Sequence, residues 1–385
     1  MVETVHPKLA DKSRCTGCGA CANGCVKGAI HMLPDREGFL YPTVTDACIE
    51  CGHCAHICPV LKQREPRTAP EVFAVWNDDT ARENATAGGV FTALAEYILE
   101  QGGVVFGAAL DEKLHVRHVA VTDYAELARL QGAKPVQSEM GRTYEQVRYY
   151  LDRQRLVLFS GTPCQVDGLY RYLGEHPGNL LTADVLCHGV SSPGVWDHMV
   201  RSMAYIKQKE PVAVQFVRKN TDNGERRFRV HFEGGGHYDA PFDKSEFGRG
   251  FHRGLTLRPA CHRCSYTSTD RVGDLSLGVF TGLPKDFWPD EQKRGISLLL
   301  INTAKGAHIF DTLPLTRHHR TLEEAVAGNE ALRAPIASGA DRAAFFDAYA
   351  KQPFQQVRTR FFTAQPLQYV KKGGENVLKL LKKRR

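Results

Sequence analysis

Two runs of cysteine near the N-terminus constrain this chain more than any other feature. Both have the spacing C-x2-C-x2-C-x3-C. Four thiolates can surround a cubane iron–sulfur cluster, and two-residue spacers let one tight loop supply three of them. In the two-cluster arrangement, the last cysteine of each run ligates the cluster of the other run. The sequence therefore predicts two 4Fe-4S clusters, one held by Cys15, Cys18, Cys21 and Cys58, the other by Cys48, Cys51, Cys54 and Cys25.

Residues 10–60 resemble a bacterial ferredoxin with two clusters. Four cysteines also suit a structural zinc ion, but zinc sites usually use separated C-x2-C pairs rather than two fourfold runs with one internal period. The first run departs from the ferredoxin pattern at Val26, where a proline usually follows the last cysteine, whereas Pro59 is present after the second run. This departure removes no ligand.

The composition indicates a soluble globular protein of two or three domains. The chain has 385 residues, of which 42% are hydrophobic and 24% charged, so it can bury a sizeable core. Ten of the twelve cysteines fall in cluster-type spacings, and no charged-then-apolar leader precedes the first run. We therefore expect a reducing, cytoplasmic location. No stretch approaches the roughly 18 uninterrupted apolar residues of a membrane span.

The net charge of +7 is concentrated at the C-terminus. Seven lysines and arginines within 371–385 oppose only Glu375, and the rest of the chain is nearly neutral. The basic tail, 363–385, is a candidate for peripheral contact with an anionic membrane or an acidic partner, although a solvated helical end has the same composition. Near neutrality elsewhere, without interleaved basic and aromatic residues, argues against nucleic-acid binding.

The chain is expected to divide into a ferredoxin-type domain at 1–62, a linker at 63–70 and a larger domain at 71–362. Prolines and charges between Lys62 and Pro70 disfavour both helix and strand. Beyond them, short apolar runs alternate with segments of helical periodicity, which predicts an α/β fold after the ferredoxin-like α+β domain. Predicted strands are 72–76, 104–110, 156–159 and 180–186, and predicted helices are 90–99, 144–151 and 166–173.

Two glycine-rich segments of the larger domain could contact a phosphate. Gly88 and Gly89 directly precede a predicted helix, where backbone N–H groups and the helix dipole favour negative charge. The second segment, 131–138, offers the cation of Lys134 and the hydroxyl of Ser138 for a pyrophosphate. A glycine pair before a helix is also a common turn, so neither segment is decisive.

Four further cysteines predict a third cluster. Cys164 and Cys187 each follow a predicted strand, and Cys261 and Cys264 form a C-x2-C pair. Four such thiolates can meet at one edge of the sheet and hold a third cubane. In the alternative, Cys164 and Cys187 are small buried residues, and Cys261 and Cys264 are half of a zinc site.

From Glu71 to about Phe362 the chain resembles the beta subunit of coenzyme F420 hydrogenase and dehydrogenase, a family of flavin-containing iron–sulfur proteins. The resemblance implies a flavin-binding domain in which the Gly88-Gly89 and Lys134 segments hold FAD and the four later cysteines hold a cluster. Fused to a ferredoxin, this layout is also similar to 7-hydroxymethyl chlorophyll a reductase. The shared stretches are Thr86-Ala87-Gly88-Gly89-Val90, Gly132-Ala133-Lys134, Gly161-Thr162-Pro163-Cys164-Gln165, Cys187-His188-Gly189, Cys261-x2-Cys264 and Arg271-Val272-Gly273-Asp274-Leu275.

One stretch departs from the family pattern. After Gly278 the family usually has an acidic residue and then an aromatic-glycine pair, whereas this chain has Val279, Phe280, Thr281 and Gly282. The loss of a carboxylate and an indole leaves the identity of the hydride donor, coenzyme F420 or another small molecule, open.

Together these features predict a flavin-dependent oxidoreductase that passes electrons between FAD and three 4Fe-4S clusters. Its expected partners are a small-molecule substrate and a redox protein, either a ferredoxin or a larger complex. The sequence also allows a homo-oligomer. The alternative is a non-catalytic subunit that relays electrons to a partner enzyme. Three histidines lie near the cysteine motifs, His188, His252 and His262. Each is a candidate proton donor or a structural histidine. The direction of electron flow does not follow from the sequence, since cluster potentials span a wide range.

Overall fold

The computed structural model describes residues 8–62, 64–66, 69–82, 84–220 and 223–363. The helices are α1 (Ala20–Asn23), α2 (His53–His56), α3 (Asp79–Arg82), α4 (Val90–Glu100), α5 (Tyr124–Leu127), α6 (Thr143–Asp152), α7 (Pro163–Leu173), α8 (Pro193–Lys207), α9 (Glu246–His252), α10 (Pro289–Arg294), α11 (Ala304–Thr312), α12 (Leu322–Gly328), α13 (Arg342–Lys351) and α14 (Phe354–Phe361). The strands are β1 (Ile30–Pro34), β2 (Leu40–Val44), β3 (Glu71–Trp76), β4 (Val104–Leu110), β5 (Val116–Val121), β6 (Val157–Gly161), β7 (Leu180–Val185), β8 (Pro211–Lys219), β9 (Arg226–Phe232), β10 (His237–Pro241), β11 (Leu275–Val279), β12 (Ser297–Ile301) and β13 (Thr316–Arg320).

The two cysteine runs adopt matching local structures. Each forms a loop that turns through a glycine at positive φ, Gly19 at 80° and Gly52 at 72°, into a four-residue helix. Glycine suits these positions because a side chain is disfavoured in the left-handed region. The two helices, α1 and α2, contact each other, and the antiparallel β1–β2 hairpin lies between the runs in sequence.

The rest of the chain is organised by an eight-stranded mixed sheet with the order β13-β3-β12-β11-β7-β6-β4-β5. Its centre, β11-β7-β6-β4, is parallel, and the outer pairings are antiparallel. The predicted α/β fold is confirmed: β3, β4, β6, β7, α4, α6 and α7 coincide with the predicted elements to within three residues.

The residues around Cys164 strongly favour the start of a helix at this point. Thr162 caps α7 and forms a capping box with Gln165, and Pro163 occupies the first turn, where no backbone N–H is needed. Gly174 ends the helix in the left-handed conformation. Cys164 is thereby fixed at the carboxyl end of β6.

A second, three-stranded antiparallel sheet, β10-β9-β8, was not predicted. It packs into a core rich in aromatic residues, where Trp196 contacts Phe216 and Phe247 at ring separations of 4.7 and 5.5 Å. This core also contains Phe39 and Tyr41 from the N-terminal segment and Phe361 from α14. The N-terminal segment is therefore packed into a core that it shares with the end of the described chain.

Two sequence-based expectations have no test in this architecture. The division at residues 62 and 71 stays a prediction. Most of the basic tail lies outside the described residues. Among the helices that the structure describes, none combines the length and the apolar character needed to cross a membrane.

Candidate iron–sulfur and flavin sites

None of the twelve cysteines forms a disulfide, and those of the N-terminal runs lie close together. Burial raises the pKa of Cys21 to about 12, and the nearby thiols of Cys15 and Cys58 add to this effect. Burial also raises the pKa of Cys54, to which the thiols of Cys25 and Cys48 contribute. The last cysteine of each run is thus close to the other run, as expected for exchanged ligands. We call Cys15, Cys18, Cys21 and Cys58 the first thiol group, and Cys25, Cys48, Cys51 and Cys54 the second thiol group.

Backbone N–H groups point at two of these sulfurs, both in the second thiol group. Ala29 donates to Cys25 Sγ at 3.3 Å, and Glu50 donates to Cys48 Sγ at 3.4 Å. Such donors favour the thiolate, which is the form that binds iron. The donor set therefore fits two iron–sulfur clusters.

The structure also assembles the four later cysteines. Strands β6 and β7 are parallel neighbours, so Cys164 and Cys187 follow them at the same edge of the sheet. Burial raises the pKa of Cys187 well above its usual value, and the thiols of Cys261, Cys164 and Cys264 reinforce the shift. Burial likewise raises the pKa of Cys164 to about 12, with contributions from Cys264 and Cys261. We call these four residues the third thiol group.

Close packing and hydrogen bonds support the third thiol group. The N–H of Gly189 donates to Cys187 Sγ at 3.3 Å, and the Thr162 hydroxyl lies 3.1 Å from Cys164 Sγ. A Cβ at Gly189, whose φ is +130°, would lie only 3.2 Å from Cys261 Cβ. Among the described residues no three His, Cys, Asp or Glu side chains are spaced to hold a single metal ion, so the grouping rests on these contacts and on the charge interactions among the thiols.

A buried ion pair holds the loop that follows Cys264. Arg271 pairs with Asp184 at 2.6 Å and donates to the backbone carbonyl of Tyr266 at 2.8 Å. Asp184 also accepts hydrogen bonds from the N–H groups of Val272 and Gly273. The pair therefore ties the loop after Cys264 to the end of β7, just before Cys187.

The first and third thiol groups are adjacent. The Cys164 thiol is among the charges that raise the pKa of Cys18, for which burial is the main cause. A Cβ at Gly168 of α7 would lie 3.1 Å from Cys18 Sγ. The hydroxyl of Tyr144 lies 2.8 Å from the carbonyl oxygen of Cys18 and 2.7 Å from that of Gln165. Cysteine spacing gave no indication of this contact, because it joins segments that are far apart in the sequence.

The two glycine-rich segments also meet. Ala133 donates its N–H to Thr86 Oγ1 at 2.9 Å, and Gln131 Nε2 donates to Thr92 Oγ1 at 3.0 Å. Nζ of Lys134 donates to the carbonyl of Gln131 at 2.8 Å, and burial lowers the pKa of Lys134 to about 7. The structure therefore places a half-buried lysine near the turn that precedes α4.

The glycine pair has a structural role of its own. A Cβ at Gly88 would lie 2.3 Å from the carbonyl oxygen of Val75, and the N–H of Gly88 already donates to Ser297 Oγ. Gly89 precedes α4 with φ 81°. Packing alone thus requires glycine at position 88, and phosphate contact by the pair stays a prediction.

Ser138 belongs to a different, buried network. Its hydroxyl lies 2.9 Å from His118 Nδ1 and accepts a hydrogen bond from Gln165 Nε2 at 2.8 Å. Burial lowers the pKa of His118 to about 4, so the ring is neutral. Its Nε2 donates to the carbonyl of Ser160, which leaves Nδ1 to accept from Ser138. The network lies beside Cys164, and contact of Ser138 with a pyrophosphate stays a prediction.

The candidate histidines are partly desolvated. Burial lowers the pKa of His188, His252 and His262. His262 Nδ1 also lies 3.1 Å from the carbonyl of Ile336, as in a structural histidine. A role of these residues as proton donors stays a prediction.

The segment that departs from the family pattern packs against the end of α12. There the Thr281 hydroxyl donates to the carbonyl of Gly328, and a Cβ at Gly282 would lie 2.9 Å from Gly328 Cα. The Thr281 hydroxyl therefore has a hydrogen-bond partner within the protein.

Comparison with known proteins gives relatives for both parts of the chain. The chain is 24% identical over 329 residues to a subunit of the F(420)H(2) dehydrogenase of Methanosarcina mazei, covering 79% of this chain and 84% of that protein. It is 35% identical over 67 residues to an uncharacterized ferredoxin of Methanocaldococcus jannaschii, covering 16% of this chain and 87% of that protein.

A chain of the xenon-derivatized F420-reducing NiFe hydrogenase complex from Methanosarcina barkeri is similar with a TM-score of 0.44 and 19% identity. The match covers 77% of this chain and 92% of that one.

Family models match most of the chain. A 4Fe-4S dicluster domain matches residues 14–61. The N-terminal part of the coenzyme F420 hydrogenase/dehydrogenase beta subunit matches residues 72–144, and its C-terminal part matches residues 154–323. The resemblance noted in the sequence is confirmed: this chain belongs to the family of coenzyme F420 hydrogenase/dehydrogenase beta subunits and carries an N-terminal 4Fe-4S dicluster domain.

Proposed function

We propose that the protein is a flavin-dependent iron–sulfur oxidoreductase. It would exchange electrons between a hydride-carrying small molecule, coenzyme F420 or another substrate, and a one-electron protein partner. The observation that supports this most directly is the packing of Cys18, of the first thiol group, with Cys164 and helix α7, which carries it. It gives a continuous series of thiol groups from the N-terminal segment to the sheet edge.

The proposed cofactors are three 4Fe-4S clusters and FAD. The clusters would supply single-electron transfer, and FAD would link it to the two-electron chemistry of a hydride. The clusters would be held by the eight cysteines of the N-terminal runs and by the third thiol group. FAD would be held near Gly88 and Gly89, with Lys134 facing its pyrophosphate and Ser138 as a further candidate contact.

The residues of this chain would position these groups and keep water from them. The Arg271–Asp184 pair holds the loop after Cys264. The hydroxyl of Tyr144 joins the backbone of Cys18 to α7. Hydrogen bonds through Ser138 fix the side chain of Gln165 next to Cys164. None of these side chains needs to change its protonation for electrons to pass.

The second thiol group is the proposed contact with the partner protein. Cys51 is exposed, and two large apolar side chains next to ligand positions are unusually exposed, Val26 at 84% and Ile49 at 56%. Exposed apolar side chains around an accessible group are typical of a protein interaction site. We infer that a redox protein docks here.

A non-catalytic relay subunit is the second candidate. One relative is by name a subunit of a dehydrogenase, so this chain could pass electrons to a partner that carries out the hydride chemistry. Flavin bound by the purified chain, and reduced there by a hydride donor, would distinguish the oxidoreductase from the relay.

The proposal is tested by separating the two half-reactions. In Cys51→Ala, flavin reduction by coenzyme F420 or a nicotinamide should continue at the wild-type rate, because the proposed flavin site is distant in sequence from this ligand. Electron exchange with a one-electron dye or ferredoxin should fall sharply. Glu112→Gln, at an exposed position between β4 and β5, is the matched control and should leave both reactions unchanged. Stopped-flow measurements follow flavin and clusters separately. Unimpaired one-electron exchange in Cys51→Ala would refute the proposed route.

A further inference from the structure

Arg258 is completely buried and links the third thiol group to the first. It directly precedes the 3-10 helix Pro259–Arg263, which contains Cys261. Its side chain extends away from that helix into the N-terminal segment. There Nε donates to the carbonyl of Cys15 at 2.7 Å, and Nη1 donates to the carbonyl of Leu40 at 3.1 Å. Nη1 also donates to Gln137 Oε1 at 2.9 Å.

The guanidinium also contacts a proposed ligand sulfur. Its Nη2 lies 3.7 Å from Cys15 Sγ. The guanidinium carbon lies 4.0 Å from the ring centroid of Tyr41 and 5.5 Å from that of Phe39. These rings shield the positive charge from water, and a desolvated charge acts more strongly on its neighbours than an exposed one.

Arg258 has no carboxylate partner among the residues that the structure describes. The other two buried arginines among the described residues each have one: Arg271 pairs with Asp184, and Arg82 pairs with Glu291. A buried charge is costly unless a charge of opposite sign lies nearby. The thiolate of Cys15 is the anion within reach, and it exists as such when it binds iron.

We propose that Arg258 is the counter-charge of the cluster held by Cys15, Cys18, Cys21 and Cys58 and raises its reduction potential relative to the cluster of the third thiol group. The inference rests on the cluster assignments of the proposed function. Reduction adds negative charge to a cluster, and nearby positive charge favours the reduced form; hydrogen bonds to the sulfurs act in the same direction. Arg258 contacts the first group directly, so its effect should be largest there. It is a positioning and tuning residue, and no proton or bond changes at it.

The test compares Arg258→Met, which removes the positive charge, with Arg258→Lys, which keeps the charge but loses the planar guanidinium group. Cluster potentials are measured by EPR-monitored redox titration of the full-length protein, and the first cluster is identified as the signal absent from Cys58→Ala. In Arg258→Met its midpoint should shift to more negative potential, by more than that of the other two clusters. Arg258→Lys should give a smaller shift. Arg317→Met, which removes an arginine stacked on Phe310 away from the cysteines, should give none.

A second measurement keeps the proposal testable if Arg258→Met loses iron. In protein stripped of iron by a chelator, the cluster and its negative charge are gone, and Arg258 is a buried charge without that counter-charge. Arg258→Met loses the hydrogen bonds of the guanidinium with and without iron, so the loss of unfolding free energy that it causes should be larger in iron-loaded protein than in stripped protein. Unchanged cluster potentials at full iron content, or an equal loss of stability from Arg258→Met with and without iron, would overturn the inference. Wild-type protein that binds no iron would instead refute the proposed function.

Discussion

Arg271 and Asp184 form an ion pair with an N–O distance of 2.6 Å, and neither side chain has more than 1% of its surface exposed. Removing one partner from such a pair leaves an uncompensated buried charge, which typically costs about 3–5 kcal/mol. We therefore expect Asp184→Asn to destabilise the protein by about 3 kcal/mol or more, measured by urea unfolding. Asp347→Asn, which breaks the exposed pair with Lys351, should cost about 1 kcal/mol or less. Equal effects of the two substitutions would show that the buried pair does not support the loop after Cys264.

Iron content tests the third thiol group. Three 4Fe-4S clusters correspond to about twelve irons per chain, and Cys264→Ala should reduce this to about eight. Ser265→Ala changes the exposed neighbour of Cys264 and should retain all the iron. Anaerobic reconstitution followed by elemental analysis gives the count. One zinc ion beside about eight irons in the wild type would support the zinc alternative.

The lowered pKa of Lys134 predicts how flavin binding depends on pH. The lysine is protonated below about pH 7 in the free protein, and only the cation attracts a pyrophosphate. The affinity of flavin-free protein for FAD should therefore fall as the pH rises through 7. Binding at pH 8 should take up a proton, because the pyrophosphate raises the lysine pKa. Calorimetry in two buffers of different ionisation enthalpy measures both effects.

Lys134→Met provides the control for this titration. It should bind FAD about tenfold or more weakly at pH 6, since a hydrogen bond to a charged group contributes about 1.5–3 kcal/mol. Its affinity should not change between pH 6 and pH 8. If the wild type and Lys134→Met bind FAD equally at pH 6, Lys134 does not contact the flavin.

The exposed apolar residues near Cys51 should affect only exchange with a protein partner. Ile49→Asp places a charge in the proposed interface, so the KM for a ferredoxin should rise severalfold. The reaction with a small one-electron dye should be unchanged, because the dye needs no docking surface. Val212 of β8 is as exposed as Ile49, and Val212→Asp should change neither the KM for ferredoxin nor the reaction with the dye. A slower dye reaction in Ile49→Asp would point to damage at the second thiol group.

The central strands and the grouping of the N-terminal thiols could be predicted from the sequence because their signals are local. Short apolar runs mark β4, β6 and β7, and fixed spacers group the N-terminal thiols. Strand β9 was missed even though Arg226–Phe232 alternates polar and apolar residues at its end. The edge strand β13, Thr316–Arg320, has no apolar residue and carries no such signal.

Contacts between distant segments could not be predicted. The Cys18–Cys164 proximity, the reach of Arg258 to Cys15 and the Ser138–His118 hydrogen bond each join residues that only tertiary packing brings together. A lone arginine or histidine has no spacing rule comparable to that of the cysteines. The desolvation of Lys134 is likewise a property of the folded surroundings.

The core shared by Tyr41, Trp196 and Phe361 has a consequence for how the protein is made. During synthesis of the chain, the full set of residues that pack around the first thiol group is present only after α14 has left the ribosome. The N-terminal runs leave the ribosome early but cannot reach their final surroundings until most of the remaining chain has followed. Until then the N-terminal segment lacks the later side chains that share a core with Phe39 and Tyr41 and pack against Cys15 in the folded protein.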